Sequence, residues 1–115
     1  MSHRSHSART TKRPEHAHIF AALGDTTRLA LVARLSCGEP FSIVQLTAGS
    51  RLSRQAITKH LRVLEHAGVV RGVRRGRESL FELHAAPIQE ASAYLAKVST
   101  QWEEALARLK VYVEN

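Results

Sequence analysis

Between Ser53 and Arg77 the chain gathers side chains suited to gripping a polyanion and reading its edges. Arg54, Gln55, Thr58, Lys59 and Arg62 lie within nine residues, and Arg71, Arg74, Arg75 and Arg77 within seven. Glutamine can hydrogen-bond an adenine edge twice, arginine or lysine a guanine, and threonine can touch a thymine methyl or a phosphate. Arginines on a short loop lay positive charge along a phosphate backbone or in a minor groove. Both groups also have a plainer reading, as a solvated helix face and as a sheet edge protected by charge. Their setting favours the polyanion. From Arg51 to Arg77 there are eight basic residues against a single acid, Glu65, and Met1 to Pro14 adds four basic residues and no acid. The net charge of +7 is therefore segregated, and residues 78 to 115 hold three basic residues against six acids. Solubility alone does not require such segregation.

The remaining reactive side chains do not assemble into a site. No Ser or Cys sits in a nucleophile setting and no glycine-rich phosphate loop occurs, so no enzyme is expected. His16 and His18 are two apart and share no helical face, His60 and His66 are six apart, and Cys37 has no second thiol. That spacing predicts no metal and no cofactor. His60, near the inward edge of its helix, is expected to be a packed structural residue, and Cys37 a small buried one. A single cysteine forms no internal disulfide and fits a reducing cytoplasm. The basic start has no apolar h-region, and no apolar run reaches the roughly 18 residues of a membrane span. A cytoplasmic protein with no membrane partner is expected.

The elements that would position these residues follow from punctuation and period. At 115 residues the chain suits one domain. Residues 1–13 lack apolar content and read as a disordered basic arm; 14–115 read as the domain. A short helix containing Ile19 and Phe20 stops near Gly24, and Asp25 caps a second carrying Leu29, Val32, Ala33 and Leu35. Cys37-Gly38-Glu39-Pro40 breaks it. Ser42 can cap a brief helix with Ile43, Leu46 and Thr47 inward, and Gly49-Ser50-Arg51 supplies a tight turn. Ser53 then caps a longer helix, Arg54 to His66, with Ile57, Leu61 and Leu64 inward and Gly68 at its end. Helix, glycine-bearing turn and helix is the helix-turn-helix arrangement. With Ile57 pointing inward, Gln55, Thr58, Lys59 and Arg62 fall on the opposite face of the second helix, with Arg54 near them in its first turn.

Residues 69–74 and 79–83 change to a strand-like period around Arg75-Gly76-Arg77-Glu78, predicting a basic-tipped hairpin. A long helix follows over about 87–113. Its Ile88, Ala91, Leu95, Val98, Trp102, Ala105, Leu109 and Tyr112 are spaced alternately by three and four, the period of a coiled-coil seam. At about 38 Å it is longer than one small domain needs. A homodimer is expected, with contacts from Ile19, Phe20, Leu95, Val98, Trp102, Leu106, Leu109 and Tyr112. The fold class is thus mostly α with a small β-hairpin: a winged helix-turn-helix of about five helices plus wing, dimeric through its terminal helices.

Three segments carry a resemblance: Ala21-Ala22-Leu23-Gly24-Asp25-Thr26-Thr27-Arg28, the run from Leu52 to Val70, and Gly76-Arg77. Together they resemble the ArsR (SmtB/ArsR) repressors from about Ile19 to the C-terminus. The resemblance implies dimeric winged-helix proteins that bind double-stranded DNA operators and release them when an inducer binds. It makes Ser53 to Arg62 the recognition helix and Arg71 to Arg77 the wing, and DNA and a second copy of the chain the partners. Metal-sensing members carry a cysteine pair where this chain has Ser42-Ile43-Val44-Gln45-Leu46, or Asp and His on the last helix, where residues 87–115 have neither. The resemblance therefore implies a regulator of duplex DNA, a repressor by default, whose inducing signal is not legible. The alternatives are a metal- or thiol-responsive repressor with ligands recruited across the dimer, and an RNA- or protein-interaction module using the same basic hairpin.

Overall fold

The structure, a computed structural model, describes residues 16–114. Five helices and three short strands follow one another as α1 (residues 16–23), α2 (Thr26–Leu35), β1 (Phe41–Ser42), α3 (Ile43–Thr47), α4 (Arg54–His66), β2 (Val70–Arg75), β3 (Glu78–Leu83) and α5 (Ala86–Glu114). The basic arm expected over 1–13 lies outside the described residues.

The starts of α2, α3 and α4 are each set by a polar cap that satisfies an orphan amide. Asp25 accepts from the Arg28 amide at 3.0 Å, and Ser53 from the Ala56 amide at 3.1 Å. Ser42 makes a reciprocal pair with Gln45, 3.1 Å one way and 2.8 Å the other, which lets a five-residue helix begin cleanly. Gly49 and Gly68, with φ of 78° and 80°, end α3 and α4 in the left-handed region that other residues avoid.

The core is made where the helix-turn-helix meets the sheet. Leu31 and Leu35 of α2, Leu46 of α3, Ile57, Leu61 and Leu64 of α4, Val69 and Val70, and Phe81 of β3 pack together, with Ile19 and Ala22 of α1 and Ala91 of α5 at its margin. The inward stripe of α2 differs in part from the expected one: Leu35 is buried and Val32 half-buried against the core as expected, but Leu29 is 50% exposed and Ala33 exposed, and Leu31 is buried instead. The reason is Arg28. It occupies the inward line with Leu31 and Leu35, where hydrophobic periodicity assumes no arginine, because its guanidinium bonds the last carbonyls of α1.

The predicted hairpin forms but is part of a three-stranded antiparallel sheet, ordered β1-β3-β2. Phe41 pairs with Phe81 and Ser42 with Leu80, so the residue that caps α3 is also stitched to the wing. Two residues were too short a strand to announce themselves in sequence. Their consequence is mechanical, since the helix-turn-helix and hairpin share one hydrogen-bonded frame.

α5 begins on the domain and leaves it. Ala91 is 3% exposed and Ile88 half-buried against the core, whereas Trp102 is 64% and Tyr112 80% exposed. At 29 residues the helix is about 44 Å long. Its near end is held by α1 through His16, whose ring stacks on Tyr94 at 4.4 Å.

Candidate nucleic-acid interface

The recognition face is built by locking one side of α4 and leaving the other open. Ile57, Leu61 and Leu64 are fully buried at i, i+4 and i+7, which fixes the rotation of the helix about its own axis. The opposite side then has no freedom of placement. Arg54, Gln55, Thr58, Lys59 and Arg62 line one shallow groove of about 440 Å³, closed at its edge by Ile43 of α3. All five were expected from the helical wheel. Ile43 was not, because its apolar character placed it wholly in the core.

The chemistry of the groove is not uniform. Thr58 donates its hydroxyl proton to the Arg54 carbonyl at 2.7 Å, so toward an outside ligand its oxygen only accepts. Arg62 lies 3.0 Å from Glu65 one helical turn on, which neutralises part of its charge. Lys59 and Arg54 have no carboxylate within 4 Å among the described residues and are the groove's free cations. Ser53 is not among the residues that line the groove; it is exposed at the start of the helix and spends its side-chain oxygen on the cap.

The hairpin does not present its arginines as one patch. Counting outward from the two-residue turn Gly76-Arg77, in which Gly76 has φ of 60°, the register pairs Arg75 with Glu78, Arg74 with Ser79 and Arg71 with Glu82. Strand alternation puts Arg71 and Arg75 on one face, each opposite an acid, and Arg74 on the other. Arg71 is bonded to Glu82 at 2.8 Å. Arg74 and Arg77 therefore carry the charge not offset across the hairpin. Glu82 is the partner that sequence reading missed; the register could have supplied it once the turn was placed.

Behind the groove, Arg28 ties three helices together. Its Nε donates to the Ala22 carbonyl at 2.6 Å and its Nη1 reaches Nδ1 of His60 on α4 at 3.2 Å. His60 is thus half-buried and structural, as expected. Asp25 stands 3.8 Å from the same His60 nitrogen. Its carboxyl lies below the ordinary value of 3.8, chiefly because it accepts the Arg28 amide, with the charge of Arg28 adding to this and desolvation opposing it. Cys37 corrects an expectation: it is exposed, because the turn after α2 projects from the core.

The surface expected to join two copies divides. Ile19 is 7% exposed and packs in this chain's own core, with Phe20 half-buried beside it. Leu95, Trp102, Leu106, Leu109 and Tyr112 are exposed and Val98 half-buried. Among the described residues no helix is long and apolar enough to cross a membrane.

Comparison with known proteins meets this geometry. A family described as a helix-turn-helix domain matches residues 23–73, from the end of α1 into β2. An uncharacterised HTH-type transcriptional regulator of Bacillus subtilis, YuzN, is 36% identical over 77 residues, covering 62% of this chain and 84% of that protein. The HTH-type transcriptional regulator NmtR of Mycobacterium tuberculosis is 31% identical, covering 68% of this chain and 67% of that one. The solved structure of an ArsR-like transcriptional regulator from Rhodococcus sp. RHA1 is 33% identical, with a TM-score of 0.78, and covers 86% of this chain and 92% of that one.

Proposed function

The chain belongs to the ArsR family of winged helix-turn-helix transcriptional regulators, and from that premise we propose that it is a homodimeric repressor of a pseudo-palindromic DNA operator. The carrying observation is the groove on α4, where five side chains able to bond base edges or phosphates line one surface whose orientation the core fixes. A helix presented this way fits the major groove, about 12 Å wide. Lys59, Arg54 and Arg62 would supply bidentate or point contacts to guanine, Gln55 would pair with adenine, and Thr58 would accept a base-edge donor. Arg74 and Arg77 would lie along the flanking backbone and add affinity without sequence preference.

Dimerisation is supported by α5. A helix that leaves its domain with Leu95, Trp102, Leu106, Leu109 and Tyr112 in water exposes a stripe that a second copy would cover. Twofold pairing would set two recognition helices about 34 Å apart, one DNA turn, and the operator would mirror that symmetry. A dimer seated on a promoter occludes polymerase, hence repression.

The test is selection from random duplex DNA by the full chain. Bound fragments should share an inverted repeat with half-sites about 10–10.5 base pairs apart, and affinity should fall steeply with salt. Recovered fragments with no common repeat would overturn the reading.

A further inference from the structure

A second concavity lies beside the recognition helix, away from the groove just described. α2 forms one wall; the end of α3 and the turn leading to α4 form the other; the space between is about 490 Å³. Leu31, Leu46 and Ile57 make its floor and Ala30 its lip, all apolar. Arg34 and Arg51 stand at its margin, and its lining contains no Asp or Glu. Arg34 is held in place. Its Nη1 donates to the Leu46 carbonyl at 3.3 Å, and its guanidinium lies over the Phe41 ring, 5.3 Å from the centroid. One bond of that kind leaves most of the five guanidinium donors unspent.

An apolar hollow of this size with two cations at the rim and no acid has the makings of a small-ligand site. The floor fits a ring or short hydrocarbon, and the preset fork of Arg34 fits a pair of oxygens on an anionic group. We propose that this cleft binds a small apolar anion, a carboxylate or sulfonate on a ring or short chain, and that its occupancy opposes DNA binding. The second half rests on the DNA reading above. Two features link the sites. Ile57 is on the cleft floor and also sets the rotation of α4, so a wedged ligand displaces the recognition face. Arg51 lies two residues before the Ser53 cap, so an anion there places negative charge where a DNA backbone would approach.

The test uses the full chain and the fluorescent anion 1-anilinonaphthalene-8-sulfonate, with the uncharged N-phenyl-1-naphthylamine beside it. The sulfonate is expected to bind at one site per chain, at least tenfold more tightly than the neutral amine. Ala30→Trp, which fills the lip, and Arg34→Gln should each weaken it at least tenfold, with circular dichroism checking that both variants fold; Arg34→Gln should leave the neutral amine unchanged. Saturating sulfonate should weaken binding of a selected duplex at least fivefold, and the duplex should weaken sulfonate binding by the same factor. Sulfonate titrations indifferent to both substitutions overturn the site, as does a signal lost in Trp102→Ala and kept in Ala30→Trp, which would place the probe on α5. If Arg34→Gln and Arg51→Gln weaken duplex binding and leave the sulfonate unchanged, the cleft holds a backbone phosphate instead and the proposal falls. If the sulfonate behaves as expected and no duplex is bound, the anion site stands and the DNA reading fails.

Discussion

Arg28 Nη1 lies 3.2 Å from Nδ1 of His60, and since a guanidinium only donates, His60 accepts there and carries its proton on Nε2. One arginine thereby fastens the end of α1 and the start of α2 to the recognition helix. A lysine at the same position has a single nitrogen and cannot serve Ala22, Ala21 and His60 together. Arg28→Lys should cost about 1–2 kcal/mol of folding stability through the lost bonds, read as a lower urea midpoint at unchanged slope. An unmoved midpoint would show that the three-helix tie contributes nothing.

Asp25 makes part of this stability depend on pH. Its folded carboxyl ionises below the ordinary value of 3.8, first because of the Arg28 amide it caps. A carboxyl depressed on folding contributes fully above its unfolded value and loses that contribution as pH falls through the folded one. Asp25→Asn keeps a cap acceptor and cannot titrate. The wild type should therefore exceed Asp25→Asn in stability near about pH 6, with the gap closing as pH drops below about 4. Urea midpoints across that range check this, and a gap constant with pH would contradict it.

The helices and their caps could be read from residue types because each rests on local chemistry: Asp25, Ser42 and Ser53 bond amides three residues on, and Gly68 supplies a positive φ. The recognition face was legible for the same reason, since burying Ile57 dictates what faces away. What stayed hidden depends on partners distant in sequence. Nothing local in sequence marks the role of Arg28, which depends on Ala22 and His60, and the wing looked like a patch of four arginines until the register placed Glu78 and Glu82 opposite two of them. Ile19 satisfied a helical period equally well facing its own core or a partner.

That register makes the wing's arginines unequal in a measurable way. Each phosphate contact contributes about 0.9 to the slope of log affinity against log salt. Arg74→Ala with Arg77→Ala should flatten the slope by roughly 3–4 in a dimer, four cations being removed, whereas Arg71→Ala with Arg75→Ala should change it less. Glu82→Gln should act in the opposite direction, releasing Arg71 from its 2.8 Å bond and steepening the slope. Fluorescence anisotropy with a labelled duplex at several salt concentrations reads all three. Equal effects from the two double variants would refute the division that the register predicts.

The strongest demand on a second copy comes from α5. Trp102, Leu106 and Leu109 are exposed at 64%, 59% and 57%, on a helix whose first turns alone touch the domain. Burying a large apolar side chain contributes about 1.5–3 kcal/mol. In a twofold dimer each position counts twice, so losing one of them removes about 3–6 kcal/mol, at least a hundredfold in dimer affinity. A charge adds desolvation to that loss. Leu106→Glu should therefore shift the chain from dimer to monomer at micromolar concentration in sedimentation velocity, with the helical circular dichroism of the core elements retained. Because one half-site contact cannot match two joined ones, the same variant should lose most of its affinity for an inverted repeat and little for a single half-site. A variant that stays dimeric would move the subunit contact off this stripe, and a wild type that is monomeric at the same concentration would remove the contact altogether.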